Sequence, residues 1–139
     1  MQIAGSCHCE TISFALTWSP DPPEIAARAC ACSFCAKHGG VWTATRTGAL
    51  VVRIVDPALV AAYEQGTRTA TFHVCTRCGV VPVVTSRIDG RLYAVVNANT
   101  FDGAARSLVR ASPIDFDGEA TDARLARRAR HWIADVRFV

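Results

Sequence analysis

Hydrophobic and polar residues alternate along much of this chain with a period of two, the spacing of a strand that buries one face. Ile12, Phe14, Leu16 and Trp18 alternate with Ser13, Ala15 and Thr17, which predicts a half-buried strand. Ser19-Pro20-Asp21-Pro22-Pro23 then breaks the pattern into a surface loop. From Thr67 to Val74 the alternation returns, with Phe72 and Val74 on one face and Thr71 and His73 on the other. Ile88-Asp89-Gly90-Arg91 predicts a tight hairpin between strands over 83–88 and 91–97, because Asp-Gly accepts the positive φ angles of such a turn.

Helical periodicity is sparse. Asp56 is a candidate N-cap with Pro57 at the first helical position, Leu59 and Tyr63 cover one side, and Gly66 stands past the end. Near the end of the sequence Leu125, Ala129, Trp132 and Ile133 recur at helical spacing, with Arg124, Arg127, Arg128 and His131 on the neighbouring stripe. That pattern predicts an amphipathic helix that docks its apolar face and solvates its arginines. No repeat of solenoid length and no low-complexity tract interrupts the chain. The expected fold is mostly β and loop-rich, with one short inner helix and one C-terminal helix.

Composition narrows the function classes. With 139 residues, half of them hydrophobic and 19 % charged, the chain is expected to form a single globular domain over 1–139. No uncharged stretch approaches the length needed to cross a bilayer, so no membrane partner is expected. Met1-Gln2-Ile3-Ala4-Gly5-Ser6 lacks the basic and apolar regions of a secretory signal, which makes a reducing cytoplasm the default location. A net charge of +3 fits a small anionic metabolite better than nucleic acid, which calls for a concentrated basic face. Oligomeric state has no signature in the sequence.

The seven cysteines carry the chemistry. They fall into three tight groups: Cys7-His8-Cys9, Cys30-Ala31-Cys32-Ser33-Phe34-Cys35, and Cys75-Thr76-Arg77-Cys78. Short spacings and an odd total argue against a disulfide framework. Cys7 and Cys9, at i and i+2 of a strand, present both sulfurs to one side while His8 points away. Cys75-x-x-Cys78 followed by Gly79 has the form of a metal knuckle. Together these four thiols would make a closed site joining distant segments, the usual task of a structural zinc. Cys30, Cys32 and Cys35 are close enough to share a second ion, with a fourth position open for water or substrate, as in catalytic zinc sites.

The spacing leaves the pairing of the groups open, and a fourth protein ligand would close the second site too. His38, three residues past Cys35, and His73, on the strand leading to Cys75, are the candidates. Rubredoxin-like iron or a redox-active Cys-x-x-Cys are rival uses. Neither fits well, since no βαβ pattern surrounds the knuckles and one metal would leave cysteines unused.

Taken with their order and flanks, three segments resemble the glutathione-dependent formaldehyde-activating enzyme (GFA) family, which also includes centromere protein V. They are Gly5-Ser6-Cys7-His8-Cys9, Cys30-Ala31-Cys32-Ser33-Phe34-Cys35-Ala36-Lys37-His38-Gly39 and Cys75-Thr76-Arg77-Cys78-Gly79. Softer likeness runs through Tyr63 and Val96-Asn97-Ala98-Asn99-Thr100-Phe101-Asp102, so a core over about 4–103 carries the resemblance and 104–139 forms an extension. The resemblance implies a mainly β, zinc-stabilised, tent-like fold of several small antiparallel sheets. It also implies a structural zinc on Cys7, Cys9, Cys75 and Cys78, and a second zinc, regarded as catalytic, on Cys30, Cys32 and Cys35. The named enzyme makes S-hydroxymethylglutathione from glutathione and formaldehyde, and is classed as a carbon–sulfur lyase for the reverse reaction.

Two departures stand out. Glu10 occupies a position where glycine commonly follows Cys-x-Cys, and Phe72-His73-Val74 replaces the usual aromatic residue directly before the knuckle. The expected function is a zinc-dependent lyase acting on a small thiol–aldehyde adduct, with glutathione as the candidate thiol. Lys37 and His38 are the candidates for meeting a substrate carboxylate or moving a proton. The alternative is a non-catalytic zinc module whose arginine face over Arg124–Arg130 binds a protein or nucleic acid.

Overall fold

A computed structural model describes residues 1–139. In chain order the strands are β1 (Gln2–Ser6), β2 (Ile12–Thr17), β3 (Ile25–Cys30), β4 (Val41–Thr43), β5 (Ala49–Ile54) and β6 (Val60–Tyr63). They continue as β7 (Thr71–Cys75), β8 (Val83–Ile88), β9 (Arg91–Asn97), β10 (Val109–Ile114) and β11 (Asp135–Phe138). Helix α1 (Ser33–His38) follows β3, and α2 (Thr121–His131) precedes β11. The chain is mainly β, as the alternation predicts. Its strands form two sheets, one ordered β1-β2-β5-β11 and one ordered β10-β3-β4-β9-β8-β7-β6. Pairing is antiparallel except at two edges, where β10 joins β3 and β11 joins β5 in parallel.

Alternation decides which side chains meet. Ile12, Phe14 and Leu16 of β2 face inward beside Leu50 and Val52 of β5, in a register that sets Phe14 opposite Val52. Against them pack Ile25 and Ala27 of β3, Val83 of β8, and Ala94 and Val96 of β9. Val84 and Val95 point to the opposite face of the larger sheet and join Trp42, Phe72 and Trp132 in a second core. Strands β8 and β9 are therefore buried on both sides, and this second core is the floor on which the functional site stands. Gly5 is fixed by packing: a Cβ there would lie against the Phe14 ring and 2.7 Å from the Thr100 carbonyl oxygen.

The 88–91 hairpin forms in the expected place, with φ of 50° at Asp89 and 77° at Gly90. The inner helix does not. From Asp56 the chain makes only a 3-10 turn over Pro57–Leu59, capped by the Asp56 side chain on the Ala58 N–H, and then enters β6. Edge pairing of β6 with β7, Tyr63 opposite Phe72, outweighs the helical spacing of Leu59 and Tyr63. The short inner helix is instead α1, inside the second cysteine group, and it ends at Gly39 with φ of 82°. At the other end, α2 stops at His131. Trp132 and Ile133 lie beyond it in extended backbone, where Ile133 bridges to Ala94 of β9. No helix is long and apolar enough to cross a membrane.

Candidate metal centres and an arginine-lined cavity

The seven cysteines are free thiols gathered at two places. Cys7, Cys9, Cys75 and Cys78 form one group and Cys30, Cys32 and Cys35 the other, with all sulfurs of a group within 4.8 Å of one another. A tetrahedral zinc with Zn–S bonds of about 2.3 Å sets its sulfurs about 3.8 Å apart. The Cys7–Cys9 and Cys9–Cys75 sulfur separations are 3.8 Å and 3.5 Å, so the first group is shaped to close on such an ion.

Cys7 and Cys9 reach that place from a turn, not from a strand. β1 ends at Ser6, and the Glu10 N–H closes the turn on the Cys7 carbonyl at 3.1 Å. Glu10 itself has φ of 65°, the left-handed conformation that glycine tolerates best. His8 is exposed, as expected. Cys75 ends β7 and Cys78 sits in the following turn, whose Gly79 has φ of 83°. N–H and O–H donors face the sulfurs: Ile12 N–H on Cys7 at 3.3 Å, Thr11 Oγ1 beside Cys9 at 3.2 Å, and Cys78 N–H on Cys75 at 3.5 Å. The Thr11 hydroxyl, helped by its backbone N–H, brings the Cys9 thiol down to about 6, whereas burial pushes Cys7 up to about 12. Such donors suit thiolate ligands.

The second group is assembled by a strand end and a helix start. Cys30 closes β3, Cys32 caps α1 by accepting the Cys35 N–H at 3.3 Å, and Cys35 is buried in the first turn. The neighbouring Cys35 thiol lowers the Cys30 thiol to about 5; the same closeness, with burial, raises Cys35. The Trp42 indole N–H reaches the Cys35 sulfur at 3.4 Å, and the Gln65 amide lies 3.9 Å from the Cys32 sulfur. Neither Trp42 nor Gln65 stands out in the sequence, because nothing in their local pattern marks a contact made across the fold.

Neither histidine completes this group. His73 Nε2 bonds Thr85 Oγ1 at 2.8 Å and its ring lies against Phe138, on the face of β7 away from the three sulfurs. His38 stacks on Phe34 at 5.5 Å. The group therefore offers three sulfur donors and no fourth side chain. Lys37 is exposed on α1, and neither Lys37 nor His38 is among the residues lining the cavity beside the sulfurs.

That cavity has a volume of about 300 Å³. Its floor includes Trp42, Phe72, Val95 and Trp132, and its opposite wall comes from the segment leading into α2. Arg28, Arg124, Arg127 and Arg128 line it together with Asp117 and Glu119. The solvated arginine stripe predicted for α2 is thus overturned at three positions. Arg128 is only 7 % exposed, and the Arg124 and Arg127 side chains are 19 % and 14 % exposed. Arg127 grips Glu119 with two contacts of 3.0 Å and stacks 3.6 Å over Phe116. The apolar spacing showed that one face docks; it did not show that the arginines turn inward over the larger sheet.

Known proteins add the context. The family profile described as glutathione-dependent formaldehyde-activating enzyme matches residues 2–113. A crystal structure of a Rhodobacter sphaeroides protein superposes with a TM-score of 0.58 at 26 % identity, covering 80 % of this chain and 99 % of that one. No curated protein matches the chain.

Proposed function

The chain belongs to the glutathione-dependent formaldehyde-activating enzyme family, and from that premise we propose that it is a zinc-dependent carbon–sulfur lyase-type enzyme. Its substrate would be a small thiol–aldehyde adduct of the S-hydroxymethylglutathione kind, made and broken beside Cys30, Cys32 and Cys35. One observation carries the reading: three convergent sulfur donors without a fourth protein ligand open onto a cavity of about 300 Å³. Cys7, Cys9, Cys75 and Cys78 form the closed counterpart, whose zinc would tie the β1–β2 turn to the end of β7.

A zinc held by Cys30, Cys32 and Cys35 would supply Lewis acidity and lower the pKa of a thiol brought to it. The chain's own residues do the rest. Trp42 and Gln65 donate to the Cys35 and Cys32 sulfurs, spreading thiolate charge and fixing the ligands. Phe72, Val95 and Trp132 keep bulk water from the floor of the cavity and hold the reactants together. In the forward direction the thiol loses its proton, sulfur bonds to the aldehyde carbon, and the oxygen takes up a proton; the reverse step restores both reactants. This addition proceeds unaided in water, so proximity and thiol activation suffice and no dedicated base is required. The inward arginines also remove most of the basic face on which the interaction-module reading depended.

The test is a zinc count joined to an exchange measurement. Wild type should hold two zincs per chain and Cys32→Ser one, and the mutant should lose the acceleration of exchange between glutathione and its formaldehyde adduct followed by NMR. Exchange at the uncatalysed rate with fully zinc-loaded wild type would exclude this adduct as substrate.

A further inference from the structure

The cavity beside the second cysteine group carries more positive charge than its own carboxylates balance. Four arginines line it against two acidic residues, and Glu119 is already held by Arg127. Arg128 forms no ion pair, and Arg124 approaches Glu119 only at 3.9 Å. Arg128 spends one nitrogen on Thr69 Oγ1 at 2.8 Å and Ser86 Oγ at 3.2 Å, and its plane lies 4.9 Å over Trp132. Arg124 spends one on the Phe116 carbonyl at 3.0 Å. The Nε atoms of Arg124 and Arg128 are both buried without a hydrogen-bond partner. Buried guanidinium groups are costly unless paired; the Nε atoms are closed off from the cavity, so an anion would meet the terminal nitrogens Arg124 Nη1 and Arg128 Nη2, which have no partner.

We propose that Arg124 and Arg128, carried on α2, together with Arg28 of β3, bind a carboxylate of the thiol substrate in the cavity beside Cys30, Cys32 and Cys35. This assignment rests on the thiol reading above. Arg124 and Arg128 lie beyond residue 113, outside the span the family profile matches, so this wall belongs to the chain's own extension. The contacts to Thr69, Ser86 and Trp132 fix the Arg128 fork before any ligand arrives, which reduces the ordering cost of binding. Burial and the neighbouring Arg124 and Arg127 lower the Arg128 guanidinium to about 10, leaving it a cation at neutral pH whose repulsive surroundings an anion relieves. Size limits the ligand. A dry cavity of about 150 Å³ takes one benzene, so 300 Å³ encloses roughly a dozen heavy atoms. The favoured ligand is a short thiol acid, or the part of a longer thiol that places a carboxylate a few bonds from sulfur.

Calorimetric titration of the zinc-loaded protein with 3-mercaptopropionate and with its uncharged amide tests this, with cobalt loaded at the second site reporting sulfur coordination by absorption. Wild type should prefer the acid by roughly tenfold or more, the scale of a charge-assisted hydrogen bond. Arg124→Gln should bring the two affinities within about twofold of each other while leaving that of the amide unchanged, and Arg128→Lys should retain part of the preference. Equal affinities in wild type, or an undiminished preference in Arg124→Gln, would overturn the assignment even if both thiols shift the cobalt spectrum. Carboxylate preference without any cobalt shift would uphold the arginine site and remove the thiol-coordination reading instead.

Discussion

Replacing Glu10 by glycine should stabilise the protein, although it deletes an entire side chain. Glu10 is exposed and holds φ of 65° where the turn from Cys7 closes on itself. A residue with a Cβ spends about 1–2 kcal/mol in the left-handed region. Glycine avoids that strain but loses about 0.5–1 kcal/mol of extra backbone freedom on folding. The difference predicts a net gain of about 0.5–1 kcal/mol, equivalent to a melting temperature higher by about 1–4 °C for a chain of this size. Glu10 also stands next to Cys9, a candidate metal ligand, so loss of its negative charge is a competing cause of the same effect. Glu10→Ala separates the causes, since it removes the charge and keeps the strain. Urea unfolding of the zinc-loaded proteins at one fixed zinc activity should give a raised midpoint for glycine, little change for alanine, and equal slopes. If Glu10→Gly is destabilised by the entropy cost alone, or alanine gains as much as glycine, backbone strain at this turn is refuted.

Three further outcomes follow from named contacts. Gly5→Ala should cost about 1–3 kcal/mol in urea unfolding, because the new methyl meets the Phe14 ring and the Thr100 backbone, neither free to retreat. Trp42→Phe removes the N–H that faces the Cys35 sulfur and should weaken zinc at the second site by about 10–100-fold in chelator competition, with the first site unchanged. Glu119 is held below the usual carboxylate range by the hydrogen bonds from Arg127, then by the charges of Arg127 and Arg124. A folded pKa below the unfolded value, about 4.3, means stability fully present above that pH and lost as pH falls through the folded value. Glu119→Gln should flatten the fall in melting temperature below about pH 4.3, and an unaltered slope would refute the pairing.

Much of the site could be read from the sequence because it depends on local spacing. Cys75-x-x-Cys78-Gly79 and the Cys30–Cys35 run needed only a turn and a helix start to converge, and the structure supplies both. Cys7 and Cys9 converge from a turn whereas a strand was expected; two residues of separation bring sulfurs together in either geometry. What escaped the sequence depends on long-range pairing. The Asp56–Gly66 segment has helical spacing, but an open edge at β7 recruits it as β6. Gln65 approaches Cys32 only because the loop after β6 folds back over α1. Arg128 shows the same limit. Periodicity assigns it to a stripe, and only the packing of α2 across β8 shows that the stripe faces Thr69 and Ser86 and not water.

The segment after Phe101 does more than carry arginines. β10 covers the β3 edge of the larger sheet, and β11 covers the β5 edge of the smaller one, with α2 between them. Uncovered strand edges invite pairing with other chains. β10 and β11 are thereby outermost strands of their sheets, so this one segment sets what a free edge of each sheet presents to a neighbouring chain.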